Sequence, residues 1–310
     1  MNENTNLVSA GAGIAGRNKR YVVWFYLLNL AFAHFGATTF NDSAHGILDH
    51  SLYADKLLHG FSAGVFVELL ARPEFGPLPG VTHPAMMFAV VFFLASLLFM
   101  PGVLLGYASD HRLPHDEFFR ACGRSVWRFV RLFLSFTVIA GIITGILFGG
   151  LNALVTAADH TSNERLPFFT QLLGTMIILL VLTVIRIWFD LAQTDVVLRD
   201  QHAVHKSIAA GFRKTRRNFG PLLGSYVVIA IAAMAVVATG ILLWQAIVPP
   251  SNVPGAFIVG QAMLFLLLGT RFWQRATAVA LYVREMAEPV LEEERPIQAF
   301  VARLGSLDRL

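Results

Sequence analysis

The chain has 310 residues, of which 55% are hydrophobic and only 14% are charged, and its formal net charge is +4. Soluble domains carry nearer ~25% charged residues, so this composition excludes an ordinary soluble protein. The one cysteine excludes an intrachain disulfide. A basic chain can bind nucleic acid, but the positions of the lysines and arginines have a simpler explanation, and we expect no nucleic-acid partner.

Six long apolar runs follow one another along the chain. Each is close to the ~20 residues that a helix needs to cross the hydrocarbon core of a membrane. The runs lie at 21–40, 85–107, 130–151, 168–189, 221–248 and 255–272. Because backbone polar groups in lipid must be satisfied within the segment, continuous apolar runs favour helices. The sequence therefore predicts an all-α membrane protein with six transmembrane helices.

Lysine and arginine are distributed unequally between the connections of these runs. With the connections counted alternately, 21 of the 24 basic residues lie on the side of both termini, and only Lys56, Arg72 and Arg165 lie on the other side. Short basic segments stay in the cytoplasm. We therefore predict that both termini are cytoplasmic and that the membrane is the inner membrane of a bacterium.

The runs divide the chain into a flexible cytoplasmic leader, three transmembrane hairpins and a cytoplasmic tail. These five parts are predicted at 1–20, 21–107, 108–200, 201–286 and 287–310. The first hairpin contains a long external loop, 41–84, in which helical spacing of apolar residues predicts interfacial helices. Apolar residues from Ile297 to Leu304 recur at helical spacing and predict a short amphipathic helix in the tail.

The second and third hairpins can be aligned with a shift of 85 residues. The shift superimposes four pairs of arginines, and it places Trp188 on Trp273. The clustering of arginine near cytoplasmic span ends also contributes to such a match. We interpret the alignment as a parallel repeat of two hairpins.

A basic amphipathic segment leads into each of these two hairpins. Helices of this kind lie in the membrane interface with their arginines against anionic headgroups, so we expect membrane lipids as partners. The alternative is a patch for a nucleic acid or a protein. The arginines concerned are Arg120, Arg124, Arg128, Arg131, Arg213, Arg216 and Arg217.

Three glycines in the third run, Gly141, Gly145 and Gly149, recur every four residues. This spacing places them on one face of a helix, where another backbone can approach closely. We expect this face to pack within the bundle. A contact with another membrane subunit is the alternative.

Ionisable groups inside membranes usually mark transport or redox sites, and this chain has few. Asn29 and His34 form a candidate intramembrane polar site in the first run. A histidine that only packs is favoured over a proton relay or a pigment ligand. Arg186 and Asp190 are placed at a cytoplasmic span end, where their side chains can reach water.

Two groups of histidines have the ligand types that bind metals. The outer group lies between Asp42 and His59, and the inner group comprises His111, His115, His202 and His205. The outer group matches no closed motif, and the inner group has too few histidines for the di-iron boxes of membrane desaturases and hydroxylases. Motifs for nucleophiles and nucleotides are missing too, so we predict no metal, no cofactor and no enzymatic activity.

The returning span of the second hairpin ends in Arg-Ile-Trp-Phe-Asp at 186–190, after a basic lead-in and a glycine-rich span. Over about 118–290 this layout resembles several uncharacterised bacterial inner-membrane families with six spans. The resemblance implies that fold and no particular reaction.

The chain has segments suited to contact with lipids and other helices, but it has no recognisable catalytic or ligand-binding motif. We therefore predict a non-enzymatic scaffold or accessory subunit of a membrane complex. The first alternative is a carrier or channel for an uncharged or lipidic solute, and the second is a metal-dependent membrane enzyme. A carrier would have a cavity lined by Asn29, His34, Gln171, Gln245 or Gln261.

Overall fold

The structure is a computed structural model. It describes residues 6–48, 64, 67, 78–109, 111–161, 165–249 and 252–307. The described residues form eight helices and no strand: α1 (Leu7–Arg17), α2 (Lys19–Leu48), α3 (Leu78–Ala108), α4 (His115–Asp159), α5 (Leu166–Leu198), α6 (Val204–Arg217), α7 (Phe219–Ile247) and α8 (Val253–Leu307).

Six of the described helices are long and apolar enough to cross a membrane. They are α2, α3, α4, α5, α7 and α8, in the order of the six apolar runs. In the most apolar window of α7 only 6% of the residues are buried, as expected for a helix that faces lipid. The prediction of an all-α membrane protein with six spans is confirmed.

The contacts divide the chain into two compact units. The first comprises Met1–Gly16, Pro101–Val228 and Trp273–Leu310, and the second comprises Arg17–Met100 and Ile229–Phe272. The second unit contains edge-to-face aromatic pairs such as Phe25–Phe272, with ring centroids 5.1 Å apart. The core of the first unit contains Leu7, Ile187, Leu191, Leu222, Tyr226, Ala278 and Leu281.

The predicted flexible leader is a packed helix. Residues Leu7–Arg17 form α1, and Leu7 and Ile14 are buried in the first unit. A Cβ atom added to Gly11 would lie 2.2 Å from Oγ1 of Thr277 in α8, so the two backbones are in close contact. The prediction was wrong because glycine and alanine make a helix face that packs by close approach rather than by hydrophobicity.

Two helices extend into the predicted external loop 41–84. α2 continues to Leu48 and α3 begins at Leu78. Of the remaining loop residues, the structure describes only Gly64 and Val67. α8 likewise continues to Leu307, so the predicted tail helix is the end of a longer helix.

The basic lead-in at 118–131 is the first part of α4, which runs without a break from His115 to Asp159. At 1.5 Å per residue its 45 residues span roughly 67 Å. This length is more than twice a hydrocarbon core of ~30 Å. The lead-in therefore continues the axis of the span and extends beyond the membrane, instead of lying in its plane as predicted.

Two tryptophans that are 85 residues apart, Trp188 and Trp273, make equivalent hydrogen bonds. Nε1 of Trp188 in α5 donates a hydrogen bond to the carbonyl oxygen of Ile208 in α6 at 2.8 Å. Nε1 of Trp273 in α8 donates to the carbonyl oxygen of Val8 in α1 at 2.8 Å. α5 and α8 therefore make the same contact with two different short helices, α6 and α1.

The same two helix pairs also share a close glycine contact. A Cβ atom on Gly211 would lie 3.0 Å from the backbone nitrogen of Ala192, and one on Gly11 would lie 2.9 Å from that of Thr277. Ala192 and Thr277 are 85 residues apart, whereas the two glycines are 200 residues apart, and Arg-Asn follows each glycine six residues later. α1 is thus the counterpart of α6, so the repeated contact includes the leader that precedes the first hairpin, which our two-hairpin repeat did not include.

Candidate functional site

Charged and aromatic side chains from four helices, buried or partly buried, come together in the first unit. We call this group the arginine cluster: Arg186 and Asp190 of α5, Tyr226 of α7, Arg275 of α8 and Tyr107 of α3. The hydroxyl of Tyr226 donates to Oδ2 of Asp190 at 2.8 Å, and Nε of Arg186 lies 3.8 Å from the same oxygen. Arg275 lies within electrostatic range of the other four side chains.

Local helix geometry explains how α5 contributes two members of the arginine cluster. Arg186 and Asp190 are four residues apart and therefore project from one side of the helix. Asp190 and Tyr226 are buried, because Ile187 and Leu191 next to Asp190 pack in the core with Tyr226. The carboxylate is thus held inside the first unit.

A second polar group connects α5, α6 and α8 within the first unit. The hydroxyl of Tyr282 donates to Oδ1 of Asp195 at 2.5 Å, and Nζ of Lys214 lies 4.0 Å above the Tyr282 ring. Lys214 also forms an ion pair with Glu285, which accepts a hydrogen bond from Asn218 at 2.6 Å. The charges of this group are paired internally, so it joins helices and offers no open binding position.

A third ion pair connects the lead-in part of α4 with the end of α5. Nη1 of Arg128 lies 2.7 Å from Oδ1 of Asp200, and Nε of Arg124 lies 3.5 Å from it. The hydrogen bond from Arg128 lowers the pKa of the Asp200 carboxyl below its usual value, with smaller contributions from the charges of Arg124 and His202. Only 9% of the Arg128 side chain is exposed. Arg128 is therefore an internal contact residue and is not placed for lipid headgroups as predicted.

The other arginines that we predicted for headgroup contact are on the surface. They are Arg120, Arg124, Arg131, Arg213, Arg216 and Arg217. Exposed aromatic side chains accompany them on α4: the guanidinium of Arg131 lies 5.3 Å from the ring centre of Trp127, which is itself exposed. Tryptophan and arginine at this spacing are typical of the membrane–water interface.

The glycine face of α4 is open. A Cβ atom added to Gly141, Gly145 or Gly149 would meet no heavy atom within 4 Å. Within the described part of the chain these glycines therefore do not pack against another helix. The close contact between α4 and α5 lies elsewhere, where a Cβ atom on Gly174 would lie 2.2 Å from Cδ1 of Leu151.

Asn29 and His34 do not form a common site in the structure. His34 is exposed, with its ring 5.8 Å from that of Phe35, whereas Asn29 is partly buried. Five positions separate them on α2, so their side chains leave the helix in different directions.

The second unit contains a cavity of about 280 Å³. Of the five polar residues that we predicted for a carrier, Gln171, Gln245 and His34 are exposed, and Gln261 accepts a hydrogen bond from Tyr26 at 2.9 Å. None of the five lines this cavity. The residues that line it are Gly240, Ile241, Trp244, Ala256, Val259, Gly260 and Met263.

The described residues contain no group of three or more histidine, cysteine, aspartate or glutamate side chains that could hold a metal ion. Asp42 and His45 of the outer group lie on α2. The rest of that group, from Asp49 to His59, lies outside the described residues. The absence of a metal site at the outer group stays a prediction.

No family model, no curated protein and no solved structure matches the chain. The six long apolar helices define the class of the protein, a multi-pass all-α membrane protein. The resemblance to six-span inner-membrane families stays a prediction.

Sequence reasoning missed the arginine cluster. We assigned Arg186 and Asp190 to a span end in contact with water, but Asp190 is buried beside a tyrosine and two arginines. One signal could have revealed it: the 85-residue shift places Asp190 on Arg275. Opposite charges at equivalent positions of two repeated helices favour a pair between them.

Proposed function

We propose that this protein is a non-enzymatic scaffold or accessory subunit of a membrane complex, in a bacterial inner membrane with both termini in the cytoplasm. The observation that carries the proposal is the open glycine face of α4. In the helix interior, glycine is less favourable than alanine by roughly 0.5–1 kcal/mol. Three such residues on one lipid-facing surface permit another helix to approach.

Apolar side chains flank this glycine face and make it a continuous surface. Val138, Ile142 and Ile146 are each about 60% exposed or more, and they alternate with Gly141 and Gly145 along the helix. A partner helix packing there would bury these side chains against its own. The face is therefore suited to a membrane-spanning helix of another subunit.

The polar residues of the described chain support a role without chemistry. The carboxylates of Asp195, Asp200 and Glu285 are each engaged by a hydrogen-bond donor or cation inside the first unit. The cavity in the second unit is lined by apolar residues. Neither arrangement combines an open pocket with converging polar groups, which is the usual form of an active site.

Membrane lipids are part of the proposed surroundings. The exposed arginines of α4 and α6 lie near the ends of apolar spans, and Trp127 stacks with Arg131. Basic residues at this level attract anionic headgroups, by about 1 kcal/mol per residue. We propose that they hold the helix ends at the membrane surface.

Substitution of the central glycine tests the scaffold role. Gly145→Leu adds a side chain to the open face, and its Cβ atom would meet no heavy atom within 4 Å in the described part of the chain, so we expect the protein to fold but a partner helix to be kept away. Gly123→Leu is the matched control, because Gly123 is also open but lies in the lead-in part of α4. Purification in mild detergent should recover stoichiometric partners with the wild type and with Gly123→Leu, but not with Gly145→Leu. Repeated recovery of the wild-type chain alone would contradict the proposal.

The cavity in the second unit favours one alternative, a carrier for a lipidic solute. Its apolar lining suits an acyl chain better than an uncharged polar solute. A Cβ atom on Gly260 would meet no heavy atom within 4 Å, so Gly260→Leu directs a side chain into the cavity. Transfer of a fluorescent lipid between vesicles should then fall to the level of protein-free vesicles. Equal transfer by the variant and the wild type would exclude this cavity as the path.

A further inference from the structure

The cavity in the second unit is a groove between the last turns of α7 and the first turns of α8, close to the connection of these two helices. Small residues on both helices leave this space open: Gly240 on α7, and Ala256 and Gly260 on α8. A Cβ atom on Gly260 would meet no heavy atom within 4 Å. Small residues on membrane helices usually let two backbones approach closely, but the described part of the chain leaves this space unfilled.

The groove runs from the membrane surface towards the middle of the bilayer. At its deep end the side chain of Met263 lies over the buried Gly240, where a Cβ atom would be 2.9 Å from Sδ of Met263. At its shallow end Trp244 lies three residues before the end of α7. Along α8 the lining extends over seven residues, from Ala256 to Met263, which corresponds to roughly 10 Å. The groove therefore covers most of the depth of one leaflet of a hydrocarbon core ~30 Å thick.

The groove is continuous with the surface that faces lipid. Ile241 and Trp244 in its wall are 44% and 47% exposed. Both helices of the groove are membrane spans, and in the most apolar window of each only 6% of the residues are buried. Lipid therefore surrounds the opening. Water is not a suitable occupant, because cavities with an apolar lining stay dry.

A whole helix of a partner does not fit the groove, whereas a single acyl chain does. A helix with its side chains is about 10 Å in diameter, so one turn of 5.4 Å occupies roughly 400 Å³. The cavity has a volume of about 280 Å³. An acyl chain is thin and flexible, and the side chain of Met263 can adapt to it. An empty groove would lose the dispersion contacts of its wall, so occupancy is favourable.

We propose that this groove holds one acyl chain of a resident phospholipid, with its ester end at Trp244 and its terminal methyl group towards Gly240. The lipid belongs to the leaflet next to the α7–α8 connection, which is the outer leaflet in the orientation proposed above. Tryptophan is typical of this level, where its ring lies among the headgroups. The inference deepens the second candidate function, because it rests on the same cavity and names its occupant and leaflet. It does not require transfer, since a resident lipid would also occupy the groove of a scaffold.

Photolabelling of the purified full-length chain in lipid nanodiscs tests the occupancy. The probe is a phosphatidylcholine with a diazirine in one acyl chain, and the labelled residues are mapped by mass spectrometry. The reference is 173–177 of α5, where apolar side chains at a similar depth are more than half exposed. Labelling per residue should be about fivefold or more higher in the groove than at this reference. Equal labelling at both places would mean ordinary contact with the surrounding lipid and would overturn the proposal.

Two glycine variants of α8 connect the labelling to the groove. Gly260→Leu directs a side chain into the cavity and should lower the labelling of the groove to the level of the α5 reference. Gly269→Leu is the matched control, because Gly269 is also open but lies nine residues further along α8, on the opposite side of the helix. It should leave the labelling unchanged. Unchanged labelling in a folded Gly260→Leu, or an equal loss in both folded variants, would overturn the proposal.

The position of the diazirine gives a test that needs no variant. With a diazirine near the ester, the enrichment over α5 should lie at Trp244 and Ala256. With one near the terminal methyl group, it should move to Met263 and to Gly240, which is buried from bulk lipid. An enrichment that does not move with the diazirine would contradict the proposed orientation of the chain.

Transfer of lipid between vesicles is measured separately, so that the two proposals for this cavity can fail independently. Enriched labelling of the groove without transfer supports the resident lipid and excludes the carrier. Transfer without enriched labelling of the groove overturns the resident lipid.

Discussion

The two halves of α5 have opposite surroundings. In the first half, side chains such as Leu173, Met176 and Ile177 are apolar and more than half exposed. In the second half, every residue from Asp190 to Val197 is buried, and four of these eight residues are polar or acidic. Soluble proteins show the reverse order. Along this helix polarity marks the interior and hydrophobicity marks the surface, as expected where lipid surrounds the exposed half.

The comparison shows what holds the helices of the first unit together. Apolar side chains gain little by leaving lipid for another helix, so membrane helices associate through close packing and hydrogen bonds. The buried half of α5 uses both: Gly211 of α6 approaches its backbone at Ala192, and Asp190 and Asp195 bind tyrosines of two other helices. Substitutions that separate these contributions sharpen the comparison.

The largest effect is expected for Asp190→Asn. It removes the buried carboxylate that pairs with Arg186 and accepts the hydroxyl of Tyr226. Because the Arg186 side chain is partly exposed, the cost should be about 3 kcal/mol, the lower end of the range for a buried ion pair. The free energy of unfolding in mixed micelles measures it. Asp116→Asn is the control, because Asp116 pairs with Arg120 on the surface of α4 and should cost less than about 1 kcal/mol. Equal costs would mean that the polar half of α5 does not stabilise the unit.

A smaller effect is expected for Gly11→Ala in α1. The added methyl group would lie 2.2 Å from Oγ1 and 2.9 Å from the backbone of Thr277, so α1 must move away, at a cost of about 1–3 kcal/mol. The matched variant Gly13→Ala has open space and should raise stability by about 0.5–1 kcal/mol. Thermal unfolding of both variants in one detergent gives the difference. A gain in stability for both would show that the α1 contact is loose.

Trp188→Phe tests the repeated tryptophan contact and should cost about 1 kcal/mol, the net value of one hydrogen bond. Trp273→Phe should cost about as much, because its indole makes the same bond to α1. Trp127→Phe is the control, since this tryptophan is 61% exposed. Thermal unfolding measures all three variants. If only one of Trp188→Phe and Trp273→Phe were destabilised, the two contacts would not be equivalent.

The smallest effect concerns Asp200 and acidic pH. Its pKa is lower in the folded protein than the ~3.9 of an unfolded chain, so the ionised form stabilises the fold. This contribution is complete above about pH 5 and is lost as the pH falls through the lowered folded pKa. The difference in melting temperature between the wild type and Asp200→Asn should therefore be constant near neutral pH and shrink in acid. A difference that grows as the pH falls would contradict this assignment.

The six spans could be predicted from the sequence because membrane insertion depends on the composition of a single segment. The leader could not, because α1 is recognised only through its contact with Thr277, which lies far away in the sequence. Helix ends in the aqueous regions were also misplaced. The continuation of α2 to Leu48 lies beyond its apolar run, and the helical spacing from Ile297 to Leu304 predicted a short separate helix rather than the end of α8.

The candidate site was harder to predict than the fold. Arg186 and Asp190 lie at the end of an apolar run, and the sequence of α5 alone does not tell whether that end faces water or other helices. The answer depends on Tyr226 and Arg275, which are contributed by other helices. Arg128 was misassigned for the same reason, since its partner Asp200 follows a different span.

The unbroken course of α4 has a mechanical consequence. A helix without a hinge behaves as a lever, and this one joins the open glycine face to the ion pair between Arg128 and Asp200. Over a rod of roughly 67 Å, a tilt of about 5° displaces one end relative to the other by roughly 6 Å. A partner that tilts the glycine-bearing half of α4 would therefore displace the half that carries Arg128 sideways.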